Sequence, residues 1–131
     1  LERLFLAEQI DATSANDLPL RLLAHLGDAV FHLYEREREV FLSRTAKQMH
    51  ARVSERVNAE KQAEMLSRLG AVLTKEENEL VRRARNIRPS NTRRADQSAY
   101  RRATAFEALL GYLYLTDIAR LKHLLSLTAV I

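Results

Sequence analysis

The chain has no cysteine, only three glycines and two prolines in 131 residues, and no long hydrophobic run. Without cysteine there are no disulfides and no thiolate metal sites, which fits a reducing compartment. So few glycines and prolines exclude the frequent tight turns of an all-β fold and favour helices. The longest apolar run, Ala108 to Leu115, is eight residues, well short of the ~20 that span a bilayer. No signal-peptide pattern stands out. These absences predict a cytoplasmic, all-α protein with no membrane partner. Residues 1–131 are expected to form a single domain, since a chain this long buries roughly two-thirds of its unfolded surface.

Charge is present but unevenly placed. The net charge is +4, yet eight arginines lie between residues 82 and 102, opposed only by Asp96. That segment carries +7, leaving −3 for the rest of the chain. A mildly acidic body with one strongly basic strip is the outline of a polyanion binder. All eight cations are arginine, the residue suited to bidentate phosphate contacts. The competing reading is a solvated helix face continued by a charged loop.

Apolar spacing and capping residues lay out the helices. Leu1 to Ile10 is expected to be a short helix and Asp11 to Asp17 a loop, with Asn16 or Asp17 capping the next helix and Pro19 in its first turn. Leu20, Leu23, Leu26, Val30, Leu33 and Tyr34 recur at helical spacing toward Phe41. Gly27 interrupts that stripe; a mid-helix glycine costs about 1 kcal/mol against alanine, so a close backbone approach is expected there. Ser43 or Thr45 caps a helix to about Val53. Another covers Val57 to Leu69 and stops near Gly70. Thr74 to Glu77 has the capping-box spacing and begins a helix to about Asn86, which Pro89 ends. Ile87 to Gln97 reads as a long loop, and such loops tend to be functional or disordered. Ser98 to Leu115 and Ile118 to about Leu127 complete the set, with Thr116 or Asp117 capping the last.

Two carboxylates intrude on apolar faces: Asp28 in Leu26-Gly27-Asp28-Ala29-Val30, and Glu107 in Ala105-Phe106-Glu107-Ala108-Leu109. Carboxylates are rarely buried unless paired or bound to a metal. Each has small residues one turn away: Ala24 for Asp28, and Ala103, Thr104 and Gly111 for Glu107. If the two helices pack at Gly27 and Gly111, both carboxylates face one cavity. Few carboxylates and no thiolate suit Mg²⁺, which keeps waters and takes phosphate oxygens. The other reading is that one of them caps a helix or pairs with a buried arginine. His25 stands at a possible ligand spacing from Asp28, while His32, His50 and His123 have no partners by spacing. No Gly-rich phosphate loop is present, nor any nucleophile arrangement.

These residues resemble a known family. His25 to Val30 together with Thr104 to Gly111 is similar to the catalytic domain of ribonuclease III. Arg82-Arg83-Ala84-Arg85-Asn86 and Tyr100 to Glu107, with a looser match at Val57 to Ala63, resemble its compact Mini-ribonuclease III branch. The similarity covers about Asp17 to Leu125. Long ribonuclease III enzymes carry further acids where this chain has Arg21, Ala24 and Thr104; the compact branch keeps only the pair matched by Asp28 and Glu107. Ala84 replaces a usual glycine.

The resemblance implies a helical ribonuclease III endonuclease fold without a double-stranded-RNA-binding domain. It also implies a homodimer, for which Phe31 and Phe41 are apolar residues beyond one helix stripe. The implied activity is Mg²⁺-dependent cleavage of double-stranded RNA, leaving 5′-phosphate and 3′-hydroxyl ends, in maturation of the large-subunit ribosomal RNA precursor and so in ribosome biogenesis. Asp28 and Glu107 are the implied catalytic and metal residues. Arg82, Arg83, Arg85, Asn86, Arg88, Arg93, Arg94 and Arg101 are the expected RNA contacts. The alternative is a non-catalytic helical RNA-binding module.

Overall fold

The computed structural model describes Phe5, residues 8–87 and residues 97–131. Among these residues there are seven helices and no strand: α1 (Ala12–Asn16), α2 (Leu20–Leu42), α3 (Ala46–Val57), α4 (Ala59–Leu69), α5 (Lys75–Arg85), α6 (Gln97–Thr116) and α7 (Ile118–Thr128). No helix among the described residues is long and apolar enough to cross a membrane.

Capping chemistry sets most of the boundaries. The Thr74 side chain accepts from the Glu77 amide at 3.1 Å, and Glu77 accepts from the Thr74 amide at 2.9 Å, closing the expected box. Thr45, not Ser43, caps α3 through the Gln48 amide at 3.0 Å; the Ser43 hydroxyl instead donates to Glu39 at 2.7 Å. Helix α3 runs on to Val57 because the cap of α4 is Asn58, whose side chain accepts from Lys61. Asp117 caps α7.

The N-terminal expectation is corrected. Ile10 is not helical; its amide donates to the Leu115 carbonyl at 2.9 Å. Asp11 to Asp17 is not a loop, since Asp11 caps the five-residue α1 through the Ser14 amide at 2.7 Å. Neither Asn16 nor Asp17 caps α2. That helix starts after Pro19 with no side-chain cap, and the Pro19 carbonyl takes the first amides.

Helix α6 is the central element. Ala103, Ala105, Phe106, Ala108, Leu109, Leu110, Gly111 and Leu113 are all buried, covering every side of its second half, as expected of a helix surrounded by others. Helices α2, α4, α5 and α7 pack on it. The crossing with α2 is the tightest contact. A β-carbon added at Gly27 would collide with the Glu107 carbonyl, and one added at Gly111 with the Leu23 carbonyl. The close approach expected at Gly27 is therefore a glycine-to-glycine crossing. Beside it the Phe31 and Phe106 rings meet edge to face, centroids 5.1 Å apart. Phe31 is fully buried there, so it is core and not a partner-facing residue; Phe41 is exposed.

Among the described residues three glutamates are buried, and each is answered by arginine. Glu35 pairs with Arg38 at 2.9 Å and Arg56 at 3.1 Å, and Arg56 also donates to the Thr128 carbonyl at 2.7 Å. Glu39 pairs with Arg52 at 2.8 Å. Glu77 receives two bonds from Arg120, both at 2.9 Å. These pairs tie α2 to α3 and α5 to α7, and removing one partner of a buried pair typically costs about 3–5 kcal/mol.

Candidate active site and nucleic-acid interface

The α2–α6 crossing decides where the two singled-out carboxylates go. Asp28 follows Gly27 on α2, and Glu107 lies one turn before Gly111 on α6. With the helices this close, both side chains line one cavity of about 270 Å³. Its rim includes Arg21, Ala24, His25, Ile87, Tyr100 and Thr104. Ala24 and Thr104 are the small residues that keep it open.

The electrostatics of this cavity differ from those of the arginine-neutralised glutamates. Asp28 and Glu107 meet each other instead. The Glu107 carboxyl is pushed up to about 8, first by burial and then by the hydrogen bond and charge of Asp28; the Gln62 side chain acts in the opposite direction. Two carboxylates this near cannot both ionise comfortably unless a cation joins them. Among the described residues no cluster of three or more His, Cys, Asp or Glu forms an all-protein cage. Two carboxylates with open space beside them fit Mg²⁺ or Mn²⁺, whose remaining positions go to water and phosphate oxygens.

His32 is a participant that spacing failed to assign. Its Nε2 lies 3.2 Å from Asp28 Oδ1, one helical turn on. The i,i+4 relation to Asp28 is the sequence signal for this pair. Gln62 was also missed as a site residue. It stands in register with Met65, Leu66 and Leu69 on the buried face of α4, and a polar residue in an apolar stripe is the signal that could have found it.

The arginine strip is divided among different jobs. Arg82, Arg85, Asn86 and Arg101 line a second cavity of about 500 Å³ with Arg102, at the α5 C-terminus and the first turns of α6. Arg82 is partly occupied by Glu79, at 2.6 and 3.1 Å. Arg83 donates to the Asn16 side chain at 3.2 Å, outside that cavity. Arg102, not among the expected contacts, donates to Ser67 at 3.2 Å while its buried Nε has no hydrogen-bond partner. Arg88, Arg93 and Arg94, with most of the expected 87–97 loop, lie outside the described residues.

The chain has known counterparts. The Ribonuclease III domain family matches residues 21–117, which span both carboxylates and the arginine cavity. The chain belongs to the ribonuclease III family. Membership makes it an endoribonuclease, and its relatives lie in the compact branch. The Mini-ribonuclease 3 of a Synechocystis strain is 47% identical over 117 residues, covering 89% of this chain and 82% of the relative. That of a Thermoanaerobacter strain is 42% identical over 110 residues, covering 82% and 78%. Among solved structures, a crystal structure of a Fusobacterium nucleatum protein superposes with a TM-score of 0.78 at 27% identity, over 86% of this chain and 93% of that one. The ribonuclease III domain here is thus all-helical, as its composition implied.

Proposed function

We propose that this ribonuclease III domain is a Mg²⁺-dependent endoribonuclease of double-stranded RNA, with Asp28 and Glu107 as the catalytic metal ligands. The observation that carries this reading is the convergence of the two carboxylates in one open cavity, close to an arginine-lined one. A divalent cation bound there supplies Lewis-acid activation of water and charge neutralisation at the scissile phosphate. Asp28 and Glu107 hold it from two helices whose spacing the glycine crossing fixes. Ala24 and Thr104 leave room for water and a phosphate oxygen. Arg85 and Arg101 grip flanking phosphates, as suits A-form RNA, which is recognised by shape and backbone. Attack of water on phosphorus, with the 3′-oxygen leaving and taking a proton, gives a 5′-phosphate and a 3′-hydroxyl. Large-subunit ribosomal RNA precursor in the cytoplasm is the proposed substrate, in keeping with the compact branch.

The functional unit in this reading is a homodimer. Leu22 and Leu33 are exposed on α2 at 61% and 50%, and with Leu26 and Ala29 they form a stripe at helical spacing. Pairing two copies along it sets two sites on one RNA face, each cutting one strand.

A gel assay on a uniform RNA duplex tests the activity. Wild type cleaves with Mg²⁺ and not with EDTA, whereas Asp28→Asn and Glu107→Gln bind the duplex and leave it intact. Binding without cleavage at any Mg²⁺ concentration would mean a non-catalytic RNA-binding module, and normal turnover by either variant would remove the assigned ligands. Arg85→Glu is expected to weaken binding across sequences and to flatten its salt slope.

A further inference from the structure

One buried polar group is left unexplained by packing and unused by the chemistry above. Gln62 on α4 is 2% exposed, among Met65, Leu66 and Leu69. Its Nε2 has no hydrogen-bond partner. Burying an amide donor unsatisfied costs about 1–3 kcal/mol, and leucine or methionine would fill the same place without that penalty. Buried orphan donors are uncommon in folded proteins and call for a reason. Here the reason lies across the α4–α6 contact, where Gln62 is the neighbour that favours the charged form of Glu107.

We propose that Gln62 is a positioning residue for Glu107, its amide set to donate to the Glu107 carboxylate when that carboxylate holds a divalent cation. The inference rests on the metal reading given above. A carboxylate that gives one oxygen to a cation still has lone pairs to spare. A buried N–H aimed at them fixes which oxygen faces the cavity and limits rotation of the group. Such outer partners of ligating carboxylates commonly change metal affinity 10–100-fold. Helix α4 thereby contributes to the site without lining the cavity, and its cap Asn58 and its apolar face hold Gln62 at the required depth. The side chain touches neither RNA nor the reacting phosphate in this arrangement, so its effect runs through Glu107 alone.

The test is Mn²⁺ binding to the full chain by calorimetry without RNA, alongside thermal melting and duplex cleavage. Gln62→Leu and the unbranched Gln62→Met are compared with wild type and Glu107→Gln. The expected result is that both Gln62 variants melt no lower than wild type while their Mn²⁺ affinity falls about tenfold or more. Their kcat falls at limiting Mn²⁺ and recovers at high Mn²⁺, with the RNA KM unchanged. Folded Gln62 variants with Mn²⁺ affinity within twofold of wild type would overturn the inference and leave the metal reading standing. Loss of folding in both variants would also overturn it, making Gln62 a packing residue. Wild type and Glu107→Gln binding Mn²⁺ equally would instead remove the metal reading and this inference with it.

Discussion

Gly27→Ala is the sharpest probe of how this fold builds its site. A β-carbon at Gly27 would fall on the Glu107 carbonyl oxygen, 2.6 Å from its carbon and 2.8 Å from the Gly111 nitrogen. All three atoms are backbone, so no rotamer change relieves the overlap. Restoring ordinary contact requires the axes of α2 and α6 to part by well over an ångström at the crossing, which loosens Leu23, Phe31 and Phe106 around it. Overpacking of this kind costs about 1–3 kcal/mol or more, and a backbone clash belongs at the upper end. Alanine returns about 1 kcal/mol of helix propensity, so the net loss is about 2 kcal/mol, or a fall in Tm of roughly 6–10 °C for a domain of this size. Gly70→Ala is the internal control. A β-carbon there meets nothing closer than the Ser67 carbonyl at 3.4 Å, and the backbone is already right-handed helical; its melting point should stay level or rise slightly. Cleavage by Gly27→Ala should drop about 100-fold, because a misplacement of about 1 Å between positioned groups has that scale. Equal melting points for the two variants would refute the reasoning, since the same added methyl would then meet the same resistance at both positions.

Two further outcomes follow from the site and the surface. Glu107 in the metal-free fold stays protonated up to about 8, well above its ordinary 4.5. It therefore adds stability that is complete below about pH 4.5 and is lost as the pH rises through about 8. Melting in EDTA should fall over that window, Mn²⁺ should restore it most above pH 8, and Glu107→Gln should flatten the profile; a flat wild-type profile contradicts the carboxyl pairing. For the dimer, sedimentation at micromolar concentration should give twice the chain mass and Leu33→Glu should halve it; a monomeric wild type rejects the proposed α2 interface.

Much of this architecture is legible in the sequence because the information is local. The capping box at Thr74 and Glu77 and the Asp117 cap are contacts between near neighbours, visible as spacing. The glycines at 27 and 111 announce a close approach because nothing else explains glycine inside a helix. Helix α1 was not legible: five residues with only Ala15 buried carry no periodicity. The division of labour among arginines was not legible either. Whether a guanidinium faces RNA or a buried acid depends on long-range partners, as for Arg120 with Glu77 across 43 residues. Gln62 escaped for the same reason, since its meaning depends on Glu107 from another helix.

The buried glutamates and the Asp28–Glu107 pair show how this chain treats negative charge. Glu35, Glu39 and Glu77 are each met by an arginine from a different helix or turn, so the fold supplies its own counter-charge. Asp28 and Glu107 line an open cavity whose rim includes Arg21. Their close pairing, with Glu107 held toward its protonated form, instead leaves room for a positive charge from outside. A buried arginine would have been permanent and would have filled the cavity with its side chain. A divalent cation is removable, compact, and able to share its coordination sphere with water and phosphate. In the proposed reading Asp28 and Glu107, facing each other across an open cavity, are the carboxylates placed to bind a cation, and Gln62 is the donor kept in reserve for when one of them does.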